Sequence, residues 1–236
     1  MAGVVSEEKK AAVKKENIQD PVIKEHLEER DRAEEKYFFD HHNFKLDSAS
    51  VFCVTFGETN NQNVFDWIAQ RKPKYIFLFG TGIIKNPLLS AFDKKVINMH
   101  LGLSPYYRGS ATNLWPLINN EPELVGATIH LAVSDVDAGN MLGQVRSDIM
   151  IGDNCHDIGC KAIIAGVSVI PELLAKYDSG VLSPRAQDLS IGKVYRSKDV
   201  TAETIFKIRD NFDSSMIENY FNNKTDRDAA VPIFNI

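Results

Sequence analysis

Apolar and polar positions divide the chain into short unbroken apolar runs and longer amphipathic ones. Residues 50–55 ("SVFCVT") and 75–79 ("YIFLF") are continuous apolar runs, as expected of strands covered on both faces. Between them, 64–71 ("VFDWIAQR") repeats its apolar positions at helical spacing. A short helix over 87–92 and a strand over 96–99 continue the alternation, which predicts a parallel sheet with crossover helices. Further on, the pattern predicts a helix over 111–118, strands over 126–132 ("GATIHLA") and 144–150, and a long helix over 158–177. Beyond 179 loop chemistry dominates. Two short helices follow, over 202–211 and 215–222, with Thr201 and Asp213 as N-caps. At the other end, 2–5 ("AGVV") reads as a strand. Residues 7–36 are dense in charges of both signs, are divided by Pro21, and read as a solvated helix or a mobile loop; His41 and His42 read as loop.

Composition narrows the function classes. With 236 residues, 44% of them hydrophobic, the chain has room for one well-buried domain and an appendage. A net charge of −5 argues against a surface built on bulk basicity, so no nucleic-acid partner is expected. No apolar run is expected to approach the roughly 20 residues that span a bilayer, and no apolar stretch follows Met1 as in a signal peptide. Three cysteines, Cys53, Cys155 and Cys160, suit a reducing compartment better than a disulfide framework. The expectation is a cytoplasmic protein without a membrane partner. Cys155, His156 and Cys160 place three metal-ligand types within six residues. Their spacing fits no common zinc motif and a fourth ligand is missing, so no metal is expected.

Three polar residues stand out against apolar settings. Asn98 and His100 lie two apart in "VINMHLGLSPYYRG" (96–109), so both side chains leave one face at the carboxyl end of a strand. That edge is where open parallel sheets bind ligands. Asp137 sits in the turn "SDVDAGNML", far enough along for a loop, a helix and a neighbouring strand to return it to the same edge. An amide, an imidazole and a carboxylate together suit acyl transfer to an amine. Singly, each has a bland reading: an Asn closing a strand, a hydrogen-bonded core His, an Asp in a turn. His130 in "GATIHLA" is expected to be such a core histidine.

Taken jointly, the words around these residues resemble the folate-dependent formyltransferase family, which includes glycinamide ribonucleotide, methionyl-tRNA and sugar-nucleotide N-formyltransferases. The resemblance rests on Asn98-Met99-His100, Ser104-Pro105, Arg108-Gly109, Gly126-Ala127-Thr128-Ile129-His130 and Asp137-Ala138-Gly139, and runs from about Tyr75 to Tyr177. It implies an α/β, Rossmann-like fold with a mostly parallel sheet flanked by helices. It also implies 10-formyltetrahydrofolate as the formyl donor, with Asn98, His100 and Asp137 as the catalytic trio. Asn98 and His100 would donate to the developing oxyanion, while Asp137 would orient His100 and help move the proton from amine to leaving nitrogen. Phe79, Gly80, Thr81, Gly82, Ile83, Val133 and Ser134 would hold the pterin. A strand–loop–helix unit is expected ahead of "AGVV", its strand lying mid-sheet between "AGVV" and "YIFLF", so the chain reads as N-terminally shortened. Residues 1–180 are then the catalytic domain and 181–236 a C-terminal helical extension, too short for a tRNA-holding barrel and without a basic stripe. The acceptor is expected to be a small-molecule primary amine, possibly of an amino-sugar nucleotide of the surface-sugar type. A 10-formyltetrahydrofolate hydrolase and a non-catalytic folate-binding remnant remain alternatives, and homo-oligomers are possible.

Overall fold

The computed structural model describes residues 3–8, 18–42 and 47–234. Ala2 of the first expected strand lies outside them. The elements are, in chain order, β1 (Val4–Glu7), α1 (Pro21–His42), β2 (Val51–Val54), α2 (Gln62–Gln70), β3 (Ile76–Leu78), α3 (Leu88–Ala91), β4 (Val96–His100) and β5 (Tyr107–Gly109). They continue with α4 (Trp115–Ile118), β6 (Gly126–Leu131), β7 (Met141–Arg146), α5 (Cys155–Asp178), β8 (Lys193–Tyr195), α6 (Ala202–Asp213), α7 (Met216–Asn222) and α8 (Lys224–Ala230).

The sheet is only partly parallel. β3 and β4 pair in parallel, with Ile76 opposite Val96, but β6 runs antiparallel to β4 and β7 antiparallel to β6. For β6 and β7 the reason is connection length, since the turn between them is too short for a crossover helix. β1 and β2 form a separate parallel pair. Among the described residues no ladder joins that pair to β3, so the expected single parallel sheet of four strands is corrected to two parallel pairs. An apolar cluster of Val54, Val64, Ile68, Leu78 and Val96 packs the two pairs together through α2.

The charged segment is helical from Pro21 on, and its residues 9–17 lie outside the described residues. Pro21 does not interrupt α1 but begins it, where its missing N–H costs nothing. α1 runs on to His42, so His41 and His42 lie in its last turn and not in a loop. α5 corrects another expectation: by length and composition it is apolar enough to cross a membrane. It lies on the sheet, with Leu173 fully buried in a cluster with Ile97, Ala127 and Ile129, while Ile164 and Val167 remain exposed. Its start is fixed by Asn154, whose side chain accepts from the amides of His156 (2.8 Å) and Asp157 (2.9 Å).

The C-terminal segment is woven into the same core. Ile208, Met216, Ile217 and Tyr220 pack with Leu103, Tyr107 and Trp115, and β8 pairs in parallel with β5. Thr201 caps α6 as expected. Asp213 instead ends α6, and Ser215, in left-handed conformation, precedes α7 without a side-chain cap.

Candidate active site

Asn98 and His100 close β4 on one face of the sheet, and β6 lies antiparallel beside them. This register sets His130 opposite Asn98 and Thr128 opposite His100. Period-two alternation therefore brings the four side chains to one neighbourhood. Thr128 fastens the loop beyond β4: its hydroxyl donates to the Gly102 carbonyl (2.7 Å) and accepts from the Ser104 amide (3.0 Å). Gln144 donates from Nε2 to the Ser104 carbonyl (2.6 Å) and to Thr128 Oγ1 (3.1 Å). The Gly-x-Thr-x-His pattern thus has two jobs, the Thr holding the loop and the His reaching the site.

Asp137 returns to this edge in the turn after β6, in left-handed conformation (φ 46°). Gln187 holds that turn from outside, donating from Nε2 to the carbonyls of Asp137 (2.9 Å) and Gly139 (2.6 Å). Two carbonyl acceptors leave the amide one orientation. Inside, Asp137 Oδ1 accepts from Asn98 Nδ2 (3.0 Å) and stands 3.4 Å from His130 Nε2. Oδ2 accepts from the Gly109 amide (2.8 Å) and stands 3.3 Å from His100 Nδ1. Gly109 reaches this position with φ 97°, and a Cβ there would come within 2.2 Å of the Tyr195 carbonyl on β8. Only glycine fits.

The cluster is buried and electrostatically asymmetric. Burial would push the Asp137 carboxyl up, but His130, His100 and the Gly109 amide outweigh it and hold its pKa below the usual carboxylate range. For His100 burial wins over the attraction of Asp137, so its pKa is lowered and the ring is neutral at pH 7. Its Nε2 donates to the Tyr107 carbonyl (2.8 Å), because a carbonyl can only accept. Nδ1 then offers a lone pair towards Asp137, a pair of acceptors that a single added proton would join. Asn98 has both amide hydrogens engaged, one on Asp137 and one on His130 Nε2 (3.1 Å). His130 in turn donates from Nδ1 to the Leu131 carbonyl (2.9 Å).

A cavity of about 620 Å³ opens over this cluster. One wall is the loop after β3, and Phe79, Gly80, Thr81, Gly82 and Ile83 all line it; Val133 and Ser134 line the other side. Phe79, Ile83, Val133 and Val136 are exposed apolar side chains around the opening. Asn60 fastens the first wall, donating from Nδ2 to the Ile83 carbonyl (2.9 Å) and accepting the Lys85 amide on Oδ1 (2.7 Å). The third side is Val194, Tyr195 and Arg196 from the C-terminal segment.

The structure therefore brings Asn98, His100 and Asp137 together and sets the seven expected pterin residues along one cleft. His130 is buried and hydrogen-bonded, as expected of a core histidine, and it also touches Asn98 and Asp137. Gln187 and the β8 wall carried no signal, because each is brought in by a loop whose path local pattern does not specify.

Comparison with known proteins bears on the family and the fold. The profile of the family described as formyl transferase matches residues 1–174. Methionyl-tRNA formyltransferase of Finegoldia magna is 27% identical over 156 residues, 62% of this chain and 49% of that protein. The Streptococcus uberis enzyme of the same name is 38% identical over 92 residues, 39% of this chain and 29% of that protein. The chain thus spans about half or less of the length of these relatives. Among solved structures, a formyltransferase of Anoxybacillus kamchatkensis, in complex with UDP-4,6-dideoxy-4-formamido-L-AltNAc and tetrahydrofolate, superposes with a TM-score of 0.52 at 17% identity, over 70% of this chain and 80% of that one. An N-formyltransferase of Helicobacter canadensis, in complex with folinic acid and dTDP-3-aminofucose, gives 0.50 at 18% identity over 74% of each chain. Both likenesses show the α/β formyltransferase fold. The chain belongs to the formyl transferase family.

Proposed function

We propose that this protein transfers a formyl group from 10-formyltetrahydrofolate to the primary amine of a small molecule. The observation that supports this most is the Asp137 carboxylate, gripped by Asn98 and the Gly109 amide and faced by two histidines, on the floor of a cleft with exposed apolar walls. The walls suit the flat ring of a pterin: Phe79, Ile83, Val133 and Val136 offer faces, and the glycines at 80 and 82 leave backbone polar groups open. Bound there, the donor supplies an electrophilic formyl carbon on a nitrogen leaving group.

The chain's own residues supply the rest. As negative charge develops on the formyl oxygen, Asn98 re-points one amide hydrogen from Asp137 or His130 towards it. The expected donation by His100 to the same oxygen is replaced, because its Nε2–H is held by the Tyr107 carbonyl and its Nδ1 faces Asp137. His100 instead receives at Nδ1 a proton released by the attacking amine, which turns its contact with Asp137 into a charge-assisted hydrogen bond. The same proton then passes to the leaving nitrogen. His130 and Gln187 act through others, one by receiving Asn98 and one by holding the Asp137 turn.

On this reading residues 1–180 carry donor and chemistry, and 181–236 close the acceptor side. Arg196 is the one Lys or Arg side chain among the described residues lining the cleft, and it would meet a phosphate of the acceptor. Amino-sugar nucleotides are thus the first class to test, although the sequence relatives bear the name of a tRNA enzyme. The experiment is a formyl-transfer screen with release of tetrahydrofolate as readout, with and without each amine. Release that depends on an amine supports transfer. Equal release without amine means a hydrolase, and donor binding without any release means a non-catalytic protein.

A further inference from the structure

A second cluster lies away from the formyl site, where α1 crosses the first turn of α5. His26 on α1 and Cys155 and His156 on α5 are all buried, and one ligand-type atom from each lies within 4.8 Å of the others. The two imidazole rings are 4.5 Å apart between centroids, tilted by 49°. His156 Nε2 is buried without a hydrogen-bond partner, on a side chain only 5% exposed. Glu29, one helical turn after His26 and so on the same face of α1, places Oε2 3.8 Å from that nitrogen. A cavity of about 500 Å³, lined by Glu29, Cys155 and His156 among others, opens beside them.

We propose that His26, Cys155, His156 and Glu29 form a binding site for one zinc ion that clasps α1 onto α5. A thiolate, two imidazoles and a carboxylate are the ligand types a tetrahedral zinc site uses. Metal–ligand bonds of ~2.0–2.3 Å in a tetrahedron need ligand atoms ~3.5 Å apart, so rotations of side chains are enough to close the observed spread. The ligands are in the right state. Burial, and next Arg30 and Arg209, lower the His26 pKa to about 4. Burial, and next His26 and Arg30, lower that of His156 to about 3. Both rings therefore keep a lone pair at neutral pH. Burial and Glu29 raise the Cys155 pKa to about 12, so it is a thiol, and zinc would bind its sulfur with release of that one proton to solvent. Nearby charge balances: Arg209 pairs with Glu25 (2.8 Å) and stands 3.8 Å from Glu29. The Cys155-His156 segment thus supplies two ligands and α1 the other two, His26 and Glu29, so Cys160 is not needed.

The test uses the whole chain, stripped with a chelator and titrated with Zn²⁺ against a chromophoric competitor, and with Co²⁺ as a spectroscopic substitute. The expected result is one equivalent bound, one proton released, and tetrahedral ligand-field bands with a sulfur-to-cobalt charge-transfer band. Cys155→Ser should abolish the charge-transfer band and weaken Zn²⁺ at least about 10-fold. His156→Ala and Glu29→Gln should weaken it too, and Cys160→Ser should leave both signals intact. Circular dichroism of each variant separates lost ligation from lost folding, and Glu29→Gln alters a half-exposed group that folding can spare. No stoichiometric binding, cobalt spectra without the sulfur band, or Cys155→Ser binding as tightly as the parent would each overturn the site and leave the ring pair as plain helix packing.

Discussion

Each oxygen of Asp137 has two polar neighbours, and the substitutions that disturb them differ in what they remove. Asn98→Ala and His100→Ala each delete a group next to the reacting atoms. Each is expected to lower turnover at least about 10²-fold with little change in donor affinity, read as kcat against a donor-binding titration. Near-full activity in either variant would remove the assigned site. Asp137→Asn keeps the shape but turns one oxygen into a donor, which must then face Asn98 Nδ2 or the Gly109 amide. Folding is expected to survive and turnover to fall by about 10²–10⁴. A folded, active Asp137→Asn protein would make this residue a turn former only. The Asn98, His100 and Asp137 trio was legible because each is a polar residue in an apolar or turn setting. His130 was not, since a histidine on a buried strand reads the same whether it serves the core or the site.

At the scale of elements, the packing of α1 on α5 carries a pH signature. His26 and His156 are neutral in the folded protein, with pKa values lowered from 6.5 to about 4 and about 3. In the unfolded chain they take up protons already near 6.5. Above that pH they cost nothing; as pH falls from there towards 4 the unfolded state binds more protons and stability drops. Urea midpoints are expected to fall steadily between about pH 7 and about pH 5, and to fall less in a His26→Phe, His156→Phe double variant. Equal slopes in both proteins would show that the rings are not buried neutral. The elements themselves were mostly legible, from the apolar runs of β2, β3 and β4 to the capped start of α6. β5, β8 and α8 were not, because "YRG" and "KVY" lack the apolar run that marks the equally short β3, and the charged final helix has no apolar periodicity to detect.

For the whole molecule, the open question of the sequence has become a feature of topology. β1 pairs with β2 and β3 with β4, while no ladder joins β1 to β3 among the described residues. Edge amides of both strands are thus left without a strand partner, and such edges recruit other chains. Concentration-dependent association is expected in light scattering, and a monomer at every concentration would show the edges to be otherwise covered. The α/β class was legible from alternating strands and helices. The antiparallel half was not, because the path of the long connection from β4 to β6 leaves no mark in the strand residues themselves. The loop over the cleft has a further meaning here. Without a strand ladder on its β1 side, the wall that would grip the donor is hydrogen-bonded down by the side-chain amide of Asn60, on a different element from every group that would touch the reacting carbon. Grip and chemistry are then two independently adjustable dials. Asn60→Ala is expected to raise the donor concentration needed for half-maximal rate several-fold and to leave the rate at saturation nearly unchanged. Selection can therefore retune such an enzyme to a scarce or abundant donor without touching the residues that do the work.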